Sequence, residues 1–152
     1  MSLTIYCLNG PNLNLLGQRE PHIYGTATLD DVFALCRETC GELGASLEFR
    51  QTNSEGQLVD WIQEARLKAE ALVLNAGAYT HTSIAVHDAL KALTIPAVEV
   101  HLSNPAAREA FRQVNYVSPA VTGTVAGLGA FGYRLALQAA AQLAESRAAK
   151  RS

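Results

Sequence analysis

The residue types able to hold a small polar molecule and exchange protons with it fall in three short stretches. Asn12, Arg19 and Tyr24 lie within LNGPNLNLLGQREPHIYG, residues 8 to 25. Asn75 opens NAGAYTHTS, which carries His81 and is followed by Asp88; Glu99, His101 and Ser103 alternate in EVHLSN, with Arg108 and Arg112 soon after. Residues two apart point the same way along an extended chain, so Glu99, His101 and Ser103 share a side. His81 and Asp88, seven apart, share a face if their segment is helical. Taken singly, each has an ordinary explanation. A histidine is more often a hydrogen-bonded structural residue than a reactive one, two arginines four apart can be a solvated helix face, and Asn/Gly/Pro clusters are common in loops. Their arrival together at successive ligand-facing positions is what points to a site.

Those positions are defined by the elements that precede them. LTIYCL (3 to 8) reads as a first strand, SLEFRQ (46 to 51) as a second, ALVLN (71 to 75) as a buried third and PAVEVH (96 to 101) as a fourth, with a fifth inside 116 to 125. Helical spacing runs through 29 to 43, where Thr28 precedes Asp30 and Asp31, and through 56 to 68, where Leu58, Trp61, Ile62 and Ala65 recur. A third helix is expected from near His81, a short helical turn over 105 to 111, and an Ala-rich helix from Phe131 to about Arg147. Strands alternating with helices imply right-handed crossovers onto a parallel sheet covered on both faces. The expectation is an α/β, flavodoxin-like, doubly wound five-stranded parallel sheet in one catalytic domain, residues 1 to 147, with 148 to 152 as a frayed tail. Such sheets bind ligands at the carboxyl ends of their strands, which is where the polar residues gather.

The bulk composition fits a small-molecule protein. Hydrophobic residues make up 49% and charged ones 17%, and a net charge of -2 gives no electrostatic reason to expect nucleic acid or a membrane surface. No apolar run approaches the ~20 residues of a membrane span, and MSLTIYCLNG lacks the pattern of a signal peptide. A cytoplasmic location is expected. An odd count of three cysteines without a CxxC pair offers neither a disulfide framework nor a zinc site, and Cys36 and Cys40 read as buried thiols on an apolar helix face. His22, His81, His87 and His101 have no ligand-type spacing, so no metal is expected. GLGAFG, at 127 to 132, matches the dinucleotide pattern G-x-G-x-x-G. The chain ends too soon after it for a strand carrying the acidic ribose ligand, and close packing of the last helix explains the glycines better.

The segments NGPNLNLLGQREPHIYG, NAGAYTHTS, EVHLSN and SPAVTGTVAGLGAFGY, in this order, resemble those of type II 3-dehydroquinate dehydratases over essentially the whole chain. The resemblance implies a cofactor-free lyase that converts 3-dehydroquinate to 3-dehydroshikimate and water, by anti elimination through an enolate. It also implies service in the shikimate route to aromatic amino acids or in quinate breakdown, and a homo-oligomer, a dodecamer built as a tetramer of trimers. Tyr24 resembles the family's base. A phenol titrates ordinarily near ~10, so this chemistry needs a cation beside it, and Arg19 fits that need. Asn12 matches the position that stabilises the enolate oxygen, His101 the general acid, and Glu99 the residue that orients His101 and keeps it protonated. Substrate binding carries over to Asn75, His81, Leu102, Ser103 and Arg112, and Asp88 matches a residue that reaches a neighbouring subunit's site. Arg108 is read as structural or interfacial.

Departures from the family pattern are Ala76 where proline is common, His87 where arginine is frequent, and RQVNYVSP in place of RHHSYLSP. A response regulator on the same fold would need acidic residues where Asn9 and Asn75 stand. A flavodoxin would need a Ser/Thr-rich phosphate loop where Leu13, Leu15 and Leu16 stand, and an inactive oligomeric scaffold would have lost the Arg19, Tyr24 and His101 set. Lys68, Lys91 and Lys150 lie outside the site segments, which argues against a Schiff-base route. Gly17 and Gly25 bracket residues 17 to 25 as hinges of a lid.

Overall fold

ALVLN is apolar on both sides of its alternation, the pattern of a strand covered on both faces, and it lies at the centre of the sheet. The computed structural model describes residues 2–151. Strands β1 (Thr4–Asn9), β2 (Ser46–Gln51), β3 (Ala71–Asn75), β4 (Ala97–His101) and β5 (Gly123–Ala126) are all parallel, in the order β2-β1-β3-β4-β5. That is the flavodoxin-like order, with its reversal between β1 and β3. β3 and β4 are buried along their whole length, whereas the edge strands β2 and β5 are partly exposed.

Helices α1 (Pro21–Tyr24), α2 (Leu29–Leu43), α3 (Glu55–Lys68), α4 (Ile84–Lys91) and α5 (Phe131–Arg151) supply the connections and the covering layers. Alternate strand residues divide the core. Ile5, Cys7, Val73, Val98 and Val100 pack with Val32 and Cys36 of α2 and Leu137 of α5. Tyr6, Leu8, Leu72 and Leu74 pack with Leu58 and Ile62 of α3 and Val86 of α4. Each such side chain, when fully buried, contributes about 1.5–3 kcal/mol. Cys7, Cys36 and Cys40 are all buried in the first layer. Burial pushes the Cys40 thiol up to about 11 and Cys7 well above its ordinary value, which keeps both protonated and inert.

Helix starts follow their caps. Thr28 Oγ1 accepts from Asp31 N at 3.1 Å while Asp31 Oδ2 accepts from Thr28 N at 3.0 Å, a reciprocal pair worth about 1 kcal/mol. Three boundaries differ from expectation by more than one residue. The helix expected from near His81 begins at Ile84, because among the hydroxyls of THTS it is Ser83 that accepts the Val86 N–H, at 2.9 Å. His81 instead ends a 3-10 turn, Gly77–His81, so His81 and Asp88 do not share a helical face. The turn expected over 105 to 111 is two 3-10 turns, Pro105–Ala107 and Ala110–Gln113, with Arg108 extended between them, so Arg108 and Arg112 do not lie on one helix. α5 continues through 148 to 151, and Ser152 lies outside the described residues.

Candidate active site

The loop after β1 is held against the loop after β3 at its first residue. Gly10 N donates to Asn75 O at 2.8 Å, and a Cβ on Gly10 would stand 2.4 Å from Ala76 O, so only glycine permits the approach. Asn12 then takes the left-handed conformation, φ 67°, which asparagine tolerates better than most residues. Its backbone N–H donates to Asn53 Oδ1 at 3.0 Å. Leu13 and Leu16 anchor the loop by inserting into the α2/α5 core layer. The chain beyond Gly17 turns back through α1 and returns Tyr24 to the carboxyl end of the sheet, over a cleft of about 170 Å³.

Asn12, Arg19, Tyr24, Asn75, His81 and His101 line this cleft, together with Leu102, Ser103 and Arg112. Asp88 does not; it is exposed on α4. Glu99 stands behind His101, fully buried. The loop, the 3-10 turn after β3 and the end of β4 thus converge on one space.

Two guanidinium groups flank Tyr24. Arg19 Cζ and Arg108 Cζ each lie 5.0 Å from the ring centroid, within cation–π range. Arg108, read from sequence as structural or interfacial, also lines the cleft and donates to Ser103 Oγ at 3.3 Å. Its Nε is buried without a protein partner, a donor available to a ligand.

In the same cleft His101 Nε2 donates to Glu99 Oε2. Burial alone pushes the Glu99 carboxyl up, but the hydrogen bond and charge of His101, with bonds from Ser118 and Asn115, hold it below the usual carboxylate range. Glu99 is therefore an anion and Nε2 carries a proton. With Nε2 committed, Nδ1 is the ring nitrogen left to serve a ligand. His81 behaves differently. Burial pushes its imidazole down against the 2.7 Å bond from Nδ1 to Val114 O, and the charges of Arg112 and His101 lower it further. Arg112 reaches the cleft while paired through Nε with Glu109, whose carboxyl it holds below the usual range.

A phenol flanked by guanidiniums and a carboxylate-backed imidazole lining one cleft can between them remove a proton from a small polar molecule and deliver one to it. The model of the family Dehydroquinase class II matches residues 3–141. The chain belongs to the class II dehydroquinases. It is 64% identical over 143 residues to the 3-dehydroquinate dehydratase of Hyphomonas neptunium, covering 94% of this chain and 96% of that protein. The 3-dehydroquinate dehydratase of Phenylobacterium zucineum is 62% identical over 144 residues, covering 95% and 99% of the two chains. Among solved structures, the type II dehydroquinase of Propionibacterium acnes superposes with a TM-score of 0.89 at 51% identity, over 93% of this chain and 98% of that one.

In this class II dehydroquinase several site residues escaped the reading of the sequence. Tyr133, buried on α5, donates its hydroxyl to Asn9 Oδ1 at 2.7 Å and accepts from Asn75 Nδ2 at 2.9 Å, while Asn75 Oδ1 accepts from Gly77 N at 3.1 Å. The Asn75 carboxamide is thereby fixed. The GLG of the dismissed dinucleotide match serves the loop after β4: Gly127 N donates to Ser103 O and Gly129 N to Leu102 O, both at 3.0 Å. Both glycines have left-handed backbones, and Gly132 packs against Val125 and Val100. Asn115 and Ser118, which bond Glu99, lie in RQVNYVSP, the segment already marked as departing from the family pattern.

Proposed function

We propose that this protein dehydrates 3-dehydroquinate to 3-dehydroshikimate, as a type II enzyme of the shikimate route or of quinate breakdown. One observation carries the reading: Tyr24, with the Arg19 and Arg108 guanidiniums at its ring, lines the same cleft as the Glu99-backed His101. The substrate is a β-hydroxy ketone. Tyr24, as phenolate, takes the proton next to the carbonyl, leaving an enolate whose oxygen is assigned to Asn12 for stabilisation through an ordered water. His101 then protonates the β-hydroxyl, which leaves as water while the enolate reforms the ketone as a conjugated enone. An anti elimination needs base and acid on opposite faces of the substrate, the roles assigned here to Tyr24 and His101, and a charge-stabilising donor at the enolate oxygen acts where charge develops.

Ser103 and the backbone at Leu102, braced by Gly127 and Gly129, are assigned to the substrate carboxylate; Asn75, His81 and Arg112 are assigned to its hydroxyl groups. Asp88, exposed on α4, is assigned to a neighbouring subunit's site in a homo-oligomer, the dodecamer that the family resemblance implies. The cytoplasm is the proposed location. Among the described residues no helix is long and apolar enough to cross a membrane.

The test is incubation of the purified protein with 3-dehydroquinate, a chelator being present throughout. Enone absorbance should appear, and borohydride added with substrate should trap no lysine adduct. A folded protein that forms no enone, or a labelled lysine, overturns the reading. Light scattering tests the dodecamer separately.

A further inference from the structure

Glu99 is held from a direction that the substrate cleft does not require. Its Oε2 accepts from Asn115 Nδ2 at 3.1 Å besides His101, and its Oε1 accepts from Ser118 Oγ and from Thr124 Oγ1 at 2.9 Å. A carboxylate offers about four acceptor directions, so the bonding capacity of this fully buried group is filled. The donors form an ordered chain. Asn115 Oδ1 accepts from Val117 N and Ser118 N, both at 2.8 Å, which fixes the amide so that Nδ2 points at Ser118 Oγ, at 2.8 Å, and at Glu99. Ser118 Oγ, accepting from Asn115, turns its own hydrogen to Glu99. Shaping the loop would need only the two bonds to Asn115 Oδ1. The amide N–H and the two hydroxyls aimed at the carboxylate are extra to that purpose.

We infer that Asn115, Ser118 and Thr124 are positioning residues, a donor clamp that fixes Glu99 as an anion and sets the pH at which the Glu99–His101 pair gives up its proton. With both oxygens occupied by donors, the carboxylate has no free place for a proton, so the mobile proton of the pair stays on the imidazole. Each donor also partly neutralises the carboxylate and weakens its pull on that proton. Removing a donor makes the pair hold its proton more tightly, which yields a weaker acid.

The other charged and titratable groups around the pair are Arg112 and His81 on the cleft wall, Arg108 between the two 3-10 turns, and Arg19 and Tyr24 on the β1 loop. His87 and Asp88 lie on α4, which covers this side of the sheet. His81 and His87 bond the carbonyls of Val114 and Tyr116 on either side of Asn115, whereas the Thr124 hydroxyl meets Glu99 and Ser118, so a shift in Thr124→Val reports the clamp most cleanly.

The inference rests on the reading of His101 as the proton donor in dehydration. Its test is the pH profile of kcat and KM for 3-dehydroquinate in the wild type, Asn115→Ala, Thr124→Val and Thr124→Ser. Thr124→Val removes one donor from β5 at nearly constant volume and leaves the loop alone. Thr124→Ser keeps the hydroxyl. In Asn115→Ala and Thr124→Val the alkaline limb of kcat should move up by about half to one pH unit. Plateau kcat should fall about three- to tenfold with KM within about twofold, and Thr124→Ser should retain the wild-type profile. Limbs that superimpose on the wild type in both donor-removing variants overturn the clamp even if kcat falls, and if Asn115→Ala does not fold, Thr124→Val decides alone. A wild type without turnover overturns the functional reading and the clamp together, whereas an active wild type with unmoved limbs in the variants overturns only the clamp.

Discussion

Replacing Tyr133 by Phe removes one oxygen atom from the protein, and it is the atom that ties α5 to the ends of β1 and β3. The hydroxyl donates to Asn9 Oδ1 and accepts from Asn75 Nδ2, and all three residues are at most 3% exposed. The ring would stay in place, but the buried Asn9 acceptor and the nearly buried Asn75 donor would lose their partner. Each such orphan costs about 1–3 kcal/mol, so a loss of about 2–5 kcal/mol is expected. For a domain of this size that corresponds to roughly 5–15 °C in Tm. The assay is urea or thermal unfolding at one fixed protein concentration, since self-association alters apparent stability. A second readout comes from pH. Burial pushes the Tyr133 phenol well above its ordinary value, so the stability it contributes is present below about pH 10 and is lost as pH rises through the folded value. The wild type should therefore lose stability in strong alkali by a component that Tyr133→Phe lacks. A variant within about 0.5 kcal/mol of the wild type at neutral pH, with an unchanged alkaline slope, would refute the reasoning.

Glu99 carries the opposite sign: its carboxyl is held low, so its stabilisation is present above about pH 4.3 and disappears as pH falls through the folded value. Glu99→Gln, which turns an amide N–H toward existing donors, should cost about 2–4 kcal/mol at pH 7 and remove that acid-side slope, measured by urea unfolding between pH 3 and 7. Gly10→Ala should force the β1 and β3 loops apart, because the new Cβ would stand 2.4 Å from Ala76 O; a stability loss of about 1–3 kcal/mol with a raised KM is expected, and unchanged kinetics would contradict the role of that contact. Residues 17 to 25, with left-handed backbones at Gly17, Glu20 and Gly25, should exchange their amide hydrogens faster than the strands and slow when product binds; exchange as slow as that of β3 without ligand would count against a lid.

The strands were legible because each apolar run is short, β-branched or leucine-rich and bounded by turn residues, and alternation with helices then left little choice of fold. The candidate site was legible where its residues lie in the carboxyl end of a strand or just past it, as Asn75 at the end of β3, Glu99 and His101 in β4, and Ser103 beyond it do. What escaped depends on contacts between distant parts of the chain. The segment THTS offers three hydroxyls as caps, and only packing selects Ser83. Arg108 is unremarkable in sequence, and its place beside Tyr24 appears only when the extended residue between two 3-10 turns is folded over the β1 loop. Tyr133 and Thr124 are separated from their partners by more than twenty residues, and nothing local marks either as polar support for a site.

Tyr24, flanked by Arg19 and Arg108, is assigned as the base of a dehydration. The most direct measurement compares the wild type with Tyr24→Phe for enone formation from 3-dehydroquinate, alongside binding of 3-dehydroshikimate. In Tyr24→Phe kcat should fall by about a hundredfold or more while product affinity stays within a few-fold, since the hydroxyl acts in proton transfer and not in holding the ring. Turnover near the wild-type rate, or a loss of product binding as large as the loss of kcat, would contradict it.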